Sequence, residues 1–137
     1  GGDLAASHTA FSLAVERDLP SERAWSNLGV VSQQLGRFEE ALRCYRTAIA
    51  LNPLRPVNFF NLAKAQQDIS APHAAIAAFR RAVTLNPYYF EAYASWGGAL
   101  TPLRQWRRAS EILTEALLLR PDSAEGLYLL AFALMHV

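Results

Sequence analysis

Large apolar residues, small residues and prolines recur along this chain with a period of 34 residues. Within each period the apolar and small positions are three or four residues apart, which is the spacing of one face of an α-helix. Pro53, Pro87 and Pro121 close successive periods, because the residue before a proline disfavours helical geometry. The pattern predicts eight helices, at 4–17, 22–35, 38–51, 56–69, 72–85, 90–101, 106–119 and 124–136.

Two pairs of positions, each occupied by residues of similar size in successive periods, show the period most clearly. In the first helix of each period, the large residues are Leu28, Leu62, Trp96 and Leu130, and the small residues that follow them are Gly29, Ala63, Gly97 and Ala131. In the second helix, the small residues are Ala41, Ala75 and Ala109, and the large residues are Tyr45, Phe79 and Leu113. A small residue beside a large one lets two helices approach closely, so each period predicts a packed helix pair.

This pattern resembles the tetratricopeptide repeat, and the resemblance covers nearly the whole chain. It implies an all-α, right-handed solenoid of antiparallel helix pairs, in which each pair buries its apolar face on its neighbour. We expect one array over 1–137, with three full repeats and flanking helices. Its divisions are 4–21 as the second helix of a truncated repeat, 22–55, 56–89 and 90–123 as full repeats, and 124–137 as the first helix of a further repeat.

Two features depart from the pattern. Pro102 lies late in a first helix and predicts that this helix ends or kinks about a turn early. That change either has no function or reshapes the groove for a ligand. Gly36 suits a helix C-terminal turn, but Ser70 and Arg104 replace it in the next two periods, so we expect less tightly specified turns there.

Composition and charge limit the classes of partner. The chain has 137 residues, of which 52% are hydrophobic and 18% are charged, and its net charge is +1. That composition indicates a globular protein, and the small charge gives no reason to expect nucleic acid as a partner. The sequence shows no apolar run long enough for a membrane span and no leader, so we expect no membrane insertion and a cytoplasmic location.

The sequence contains no group of residues that indicates a catalytic, cofactor or metal site. The three histidines lie on separate predicted helices, at His8, His73 and His136. Cys44 is the single cysteine, and we interpret it as a buried or half-buried, inert thiol. The segment WGG lacks the lysine and glycine spacing of a phosphate loop, so we attribute Gly97 and Gly98 to close helix approach. We therefore expect no enzymatic activity and no cofactor.

Polar residues recur at one position of the first helices, namely Asn27, Asn61 and Ser95. In the family that the chain resembles, the first helices line a concave groove. The column resembles the asparagine ladder of the tetratricopeptide superhelix of O-linked N-acetylglucosamine transferases, which implies that side-chain amides bind the backbone of an extended peptide. One amide supplies both a donor and an acceptor. Alternatively, Asn27 and Asn61 bond each other or local backbone and tie adjacent pairs together.

The sequence thus predicts a scaffold that binds a protein or peptide partner in its groove. We expect the contacts to include Asn27, Phe60, Asn61, Lys64 and Ser95, with Phe60 as an apolar anchor. A clamp for a C-terminal carboxylate is disfavoured, since two of its positions hold Glu91 and Glu125.

The sequence is also consistent with two other functions. The chain could be the substrate-recognition arm of a larger, glycosyltransferase-like enzyme. It could also be a structural protein that self-associates through its uncapped end helices, because the last segment, GLYLLAFALMHV, is apolar on more than one face.

Overall fold

A computed structural model describes residues 2–17 and 21–137, and helices account for most of them. The helices are α1 (Gly2–Glu16), α2 (Glu22–Gln34), α3 (Phe38–Leu51), α4 (Pro56–Asp68), α5 (Pro72–Leu85), α6 (Phe90–Leu100), α7 (Trp106–Leu119) and α8 (Ala124–Met135). Within the described ranges there is no strand. Every helix begins and ends within two residues of its predicted bound, so the predicted all-α fold is confirmed.

The helix starts follow from local chemistry. The hydroxyl oxygens of Ser21 and Ser123 accept hydrogen bonds from the backbone N–H groups of Ala24 and Gly126, at 3.2 and 3.0 Å. α4 and α5 each begin with a proline, which is tolerated there because the first-turn N–H groups have no partner within the helix. These signals fix where consecutive helices begin.

Close approach within each pair depends on the small residue of the first helix. A Cβ atom on Gly29 would lie 2.6 Å from Cε1 of Tyr45, and one on Gly97 would lie 2.5 Å from Cγ of Leu113. Gly98 differs, because its nearest neighbour would be Leu129 Cδ1 at 3.9 Å. The explanation of both WGG glycines by helix approach is therefore right for Gly97 and wrong for Gly98, which has free space beside it.

The three turns inside the repeats share one geometry. Gly36, Ser70 and Arg104 all have positive φ, at 78°, 59° and 57°. At each turn the next residue donates to a carbonyl five residues back: Arg37 to Ser32 (2.8 Å), Ala71 to Gln66 (2.8 Å) and Gln105 to Leu100 (3.2 Å). The expectation of looser turns at Ser70 and Arg104 is wrong, because both residues adopt the left-handed conformation of the glycine.

Pro102 shortens α6 as predicted, and Thr101 compensates for the change. Proline has no N–H to donate to Gly98 four residues back. The N–H of Thr101 instead bonds to the Gly98 carbonyl at 3.3 Å, and its hydroxyl donates to the Gly97 carbonyl at 3.4 Å. Both carbonyls are thus satisfied although the helix ends at Leu100.

Each helix packs against the next one along the chain. In addition, α2 contacts α4 directly, and α6 contacts α8. The first helices α2 and α4 therefore lie side by side, as do α6 and α8, and we call α2, α4, α6 and α8 the first-helix wall. Over the part of the chain described here, no helix is long and apolar enough to cross a bilayer.

Candidate functional site

The polar column predicted from the sequence lies on α2, α4 and α6 of the first-helix wall. Asn27 is exposed, and Asn61 and Ser95 are half-buried. None of the three is among the buried core residues. Their side chains are therefore within reach of a ligand, although their role in binding stays a prediction.

The amides of Asn27 and Asn61 bond neither each other nor nearby backbone within 2–17 and 21–137, which argues against the interpretation that they tie the repeats together. A different residue links the pairs. Gln33 accepts a 2.8 Å hydrogen bond from the hydroxyl of Tyr45 and donates a 2.8 Å bond to the carboxylate of Asp68. Gln33 thereby connects α2, α3 and α4, and it leaves the two asparagines free.

Phe60 and Lys64 lie one turn apart on α4 and so share a face with Asn61. Lys64 is exposed, whereas Phe60 is half-buried, with its ring centroid 5.9 Å from that of Phe79 and 5.3 Å from that of Tyr89. Burial raises the pKa of Tyr89 to about 12, so its hydroxyl is neutral at physiological pH. Part of the Phe60 ring thus packs into the core, and the remainder faces solvent as a rigid apolar edge.

Carboxylates at the helix starts have cationic partners that the repeat pattern did not predict. Arg55 donates to both carboxylate oxygens of Glu22, at 2.9 and 2.8 Å, and the buried amide of Asn58 donates to the same group. Arg120 bonds to Glu91 at 3.0 Å. These partners lie 33 and 29 residues apart in sequence, and nothing in a single helix pattern marks them.

The single thiol is buried, as predicted. Cys44 is 2% exposed, and desolvation, with the nearby Glu40 charge, raises its pKa to about 11. The thiol is therefore protonated at neutral pH and is a poor nucleophile. No group of three potential metal ligands occurs among the residues that the structure describes.

The arginines on the second helices pack over aromatic rings. The guanidinium carbons of Arg80 and Arg108 lie 5.7 and 5.8 Å from the ring centroid of Trp96, and that of Arg81 lies 5.9 Å from the centroid of Phe59. These contacts give the three arginines a structural role in packing α5 and α7 against α4 and α6.

Comparisons with known proteins agree with this geometry. Two models described as tetratricopeptide repeat match residues 22–53 and 58–89. The tetratricopeptide repeat-containing protein trd-1 of Caenorhabditis elegans is 28% identical over 117 residues. That match covers 85% of this chain but only 15% of the longer relative.

Solved structures share the arrangement of the helices over 83–98% of this chain. A crystal structure of MamA has a TM-score of 0.92 at 21% identity, over 98% of this chain and 74% of that one. YrrB, described as a tetratricopeptide repeat protein with an unusual peptide-binding site, has a TM-score of 0.84 at 20% identity, over 98% and 70%. The first such domain of Spaghetti (RPAP3), bound to the HSP90 peptide SRMEEVD, has a TM-score of 0.80 at 25% identity, over 83% and 90%. The predicted solenoid is therefore confirmed.

Proposed function

The chain belongs to the tetratricopeptide repeat family, and on that premise we propose that its first-helix wall binds an extended peptide segment of a partner protein. The observation that carries the proposal is the pair of asparagine amides, Asn27 and Asn61, which recur one repeat apart and have no hydrogen bond to other described residues. An extended segment needs donors and acceptors for its backbone, and each asparagine offers one of both.

The proposed contacts differ in their chemistry. Asn27 and Asn61 bond the peptide backbone, and Ser95 extends the column with a single hydroxyl. Phe60 provides an apolar edge that is already held by the core, so little conformational entropy is lost when a ligand covers it. Lys64 adds one positive charge beside it. Together these residues favour a ligand that is recognised mainly through its extended peptide backbone and through one apolar side chain.

We propose that the bound segment is not the acidic C-terminus of a partner protein. The RPAP3 domain is solved with the peptide SRMEEVD, whose last residue is aspartate and which also contains two glutamates. In this chain, the positions of a carboxylate clamp hold Ser26, Val30, Asn61, Glu91 and Ser95. Ser26 is buried, and Glu91 is an acidic side chain already paired with Arg120, so neither position offers a free positive charge to a carboxylate. We therefore propose that the groove takes an internal, neutral stretch of the partner.

Selection and mutation together test the proposal. Twelve-residue random peptides displayed on phage would be selected on the folded chain, and the affinity of synthetic winners would be measured by calorimetry. We expect the double variant Asn27→Ala, Asn61→Ala to lose about tenfold or more in affinity, which is about 1.4 kcal/mol or more, with little change in melting temperature. Thr84→Ala, on exposed α5 surface, is the matched control and should leave affinity unchanged.

Two outcomes would contradict the proposal. The first is no enrichment of peptides over an unrelated helical protein. The second is an equal loss of affinity and thermal stability in the double variant, which would assign the asparagines to the scaffold.

Self-association is a second candidate function, favoured by the apolar face of α8. Leu127 and Leu134 are 50% and 56% exposed, whereas Leu100, one repeat before Leu134, is fully buried in the core. A second copy that covered this face would remove it from water. Sedimentation velocity over a range of concentrations tests this, and a monomer at every concentration would contradict it.

Because the chain matches only 15% of the length of trd-1, a role as the substrate-recognition arm of a larger, glycosyltransferase-like enzyme stays an alternative proposal. In either setting we propose that this segment binds its partner without catalysing a reaction. The variant Asn27→Ala, Asn61→Ala, placed in whatever longer polypeptide the gene encodes, would test whether an enzymatic activity found there depends on the groove.

A further inference from the structure

A pocket opens where the turn after α4 meets the end of α6. Its volume is about 340 Å³, and its lining residues are Gln67, Ser70, Pro72, Gly98, Ala99 and Pro102. Gln67 and Gly98 lie on α4 and α6, so the pocket is next to the first-helix wall. None of the lining side chains is charged.

The preceding repeat junction explains why this pocket exists. One period earlier, the equivalent lining positions are Gln33, Gly36, Phe38, Lys64, Ala65 and Asp68. Three of them carry larger or longer side chains than their counterparts, because Phe38, Lys64 and Asp68 are replaced by Pro72, Gly98 and Pro102. The same helix packing therefore leaves a space at the second junction.

The replacements also remove the hydrogen-bond partner of one amide. Gln33 donates to Asp68 at 2.8 Å, but Gln67 has Pro102 in the equivalent position. The half-buried side chain of Gln67 forms no hydrogen bond to another residue within the described part of the chain. Its amide is thus available at the edge of an otherwise mostly apolar space.

Two backbone carbonyl groups beside the pocket already have hydrogen-bond donors. Pro102 has no N–H for the Gly98 carbonyl, which instead accepts from the N–H of Thr101, and the Gly97 carbonyl accepts from the Thr101 hydroxyl. The walls formed by Pro72, Ala99 and Pro102 are aliphatic. A ligand group that fits must therefore be neutral, aliphatic against Pro72, Ala99 and Pro102, and polar only where it meets Gln67 or the Ser70 hydroxyl.

We propose that this pocket is a specificity site that takes one aliphatic side chain of the bound peptide, such as leucine, while Gln67 bonds the neighbouring peptide group. The inference rests on the proposed function, since the peptide in the groove presents that side chain. On this proposal, the junction of α4, α5 and α6 selects one side chain of the peptide, whereas the neighbouring Asn27, Asn61 and Ser95 recognise only the peptide backbone.

A small probe tests the pocket without the rest of the peptide. N-acetyl-leucine-N-methylamide would be titrated into ¹⁵N-labelled protein, with the aspartate and lysine analogues as controls. We expect saturable shifts at Gly98, Ala99 and the Gln67 side-chain amide for the leucine compound alone. Gly98→Leu should fill the pocket and weaken binding about tenfold or more, and Gly98→Ala should retain most of it.

Pro102→Asp is a second blocking variant, because it gives Gln67 the partner that Gln33 has. Circular dichroism confirms that each variant is folded. Absence of saturable shifts in the natural protein, equal shifts with the charged analogues, or unchanged binding in both folded blocking variants would overturn the inference.

The same variants distinguish this inference from the proposed function. Suppose that selected peptides need Asn27 and Asn61 and yet bind the folded Gly98→Leu variant normally. That result would support the proposed peptide groove and contradict the proposed specificity pocket. Binding of the leucine compound at Gly98 without selection of any peptide would support the pocket as a binding site and contradict the proposal that the groove binds an extended peptide.

Discussion

Gly29 packs so closely on Tyr45 that an added Cβ atom would lie 2.6 Å from Cε1 of the ring. Tyr45 is fully buried, and its hydroxyl is held by Gln33, so the ring has little freedom to move away. We expect Gly29→Ala to lower the free energy of unfolding by about 1–3 kcal/mol, although alanine is the better helix former. Urea denaturation followed by circular dichroism measures this change.

Gly98→Ala is the matched control, because the same substitution here meets only Leu129 Cδ1 at 3.9 Å. We expect it to raise the free energy of unfolding by about 0.5–1 kcal/mol through helix propensity alone. Equal effects of the two substitutions would show that the Gly29–Tyr45 contact does not determine the packing of the first pair.

Ser70 and Arg104 hold the left-handed conformation that Gly36 adopts without a steric penalty. We expect Ser70→Gly and Arg104→Gly each to stabilise the protein by about 0.5–1 kcal/mol, because the strain removed exceeds the added chain entropy of glycine. Gly36→Ala should change stability by about the same amount in the opposite direction. Chemical denaturation of the three variants checks both signs, and a destabilising glycine would contradict the turn assignment.

The contact between α1 and the first repeat is expected to depend on pH through Glu40. Its carboxylate lies 2.9 Å from His8 Nε2 and accepts a 3.1 Å bond from the Ser32 hydroxyl. Desolvation raises the pKa of Glu40, but these hydrogen bonds and the nearby charges outweigh it, and the pKa in the folded protein is lowered. The stabilisation is therefore present above the unfolded pKa and is lost as pH falls through the folded value.

We expect Glu40→Gln to cost about 1 kcal/mol of unfolding free energy at pH 7 and progressively less below about pH 4. Glu39→Gln, at the exposed neighbouring position, should show neither the loss nor the pH dependence. Thermal unfolding between pH 3 and 7 would decide the matter; a loss independent of pH would assign Glu40 a packing role only.

Cys44 offers a built-in probe of unfolding. Because burial raises the pKa of its thiol to about 11, we expect modification by a disulfide reagent at neutral pH to be far slower than that of a free thiol. The rate should rise in urea in parallel with loss of helix. Rapid labelling without denaturant would show that α3 opens locally.

The period of 34 residues was sufficient to predict the helices, because the solenoid repeats one packing solution along the chain. Ala41, Ala75 and Ala109 are all fully buried, and each occupies the same position in its pair. The early end of α6 was also predictable, since the missing N–H of Pro102 acts locally. The division of the chain into three full repeats with flanking helices stays a prediction.

Contacts outside the repeat pattern were not predictable in the same way. The Gln33–Asp68 bond and the Glu22–Arg55 pair depend on side chains from different repeats meeting in space. Ser70 and Arg104 adopt a glycine conformation because the hydrogen bonds of the turn outweigh their local preference. The free space beside Gly98 results from three separate replacements, and only the packed structure places them at one point.

The most direct test of the central claim is whether Asn61 bonds the backbone of the peptide. A selected peptide would be synthesised with each backbone amide N-methylated in turn, and its affinity measured for the natural protein and for Asn61→Ala. We predict that one N-methylation weakens binding to the natural protein by about 1 kcal/mol or more and has almost no further effect in Asn61→Ala. Additive losses at every position of the peptide would contradict the account.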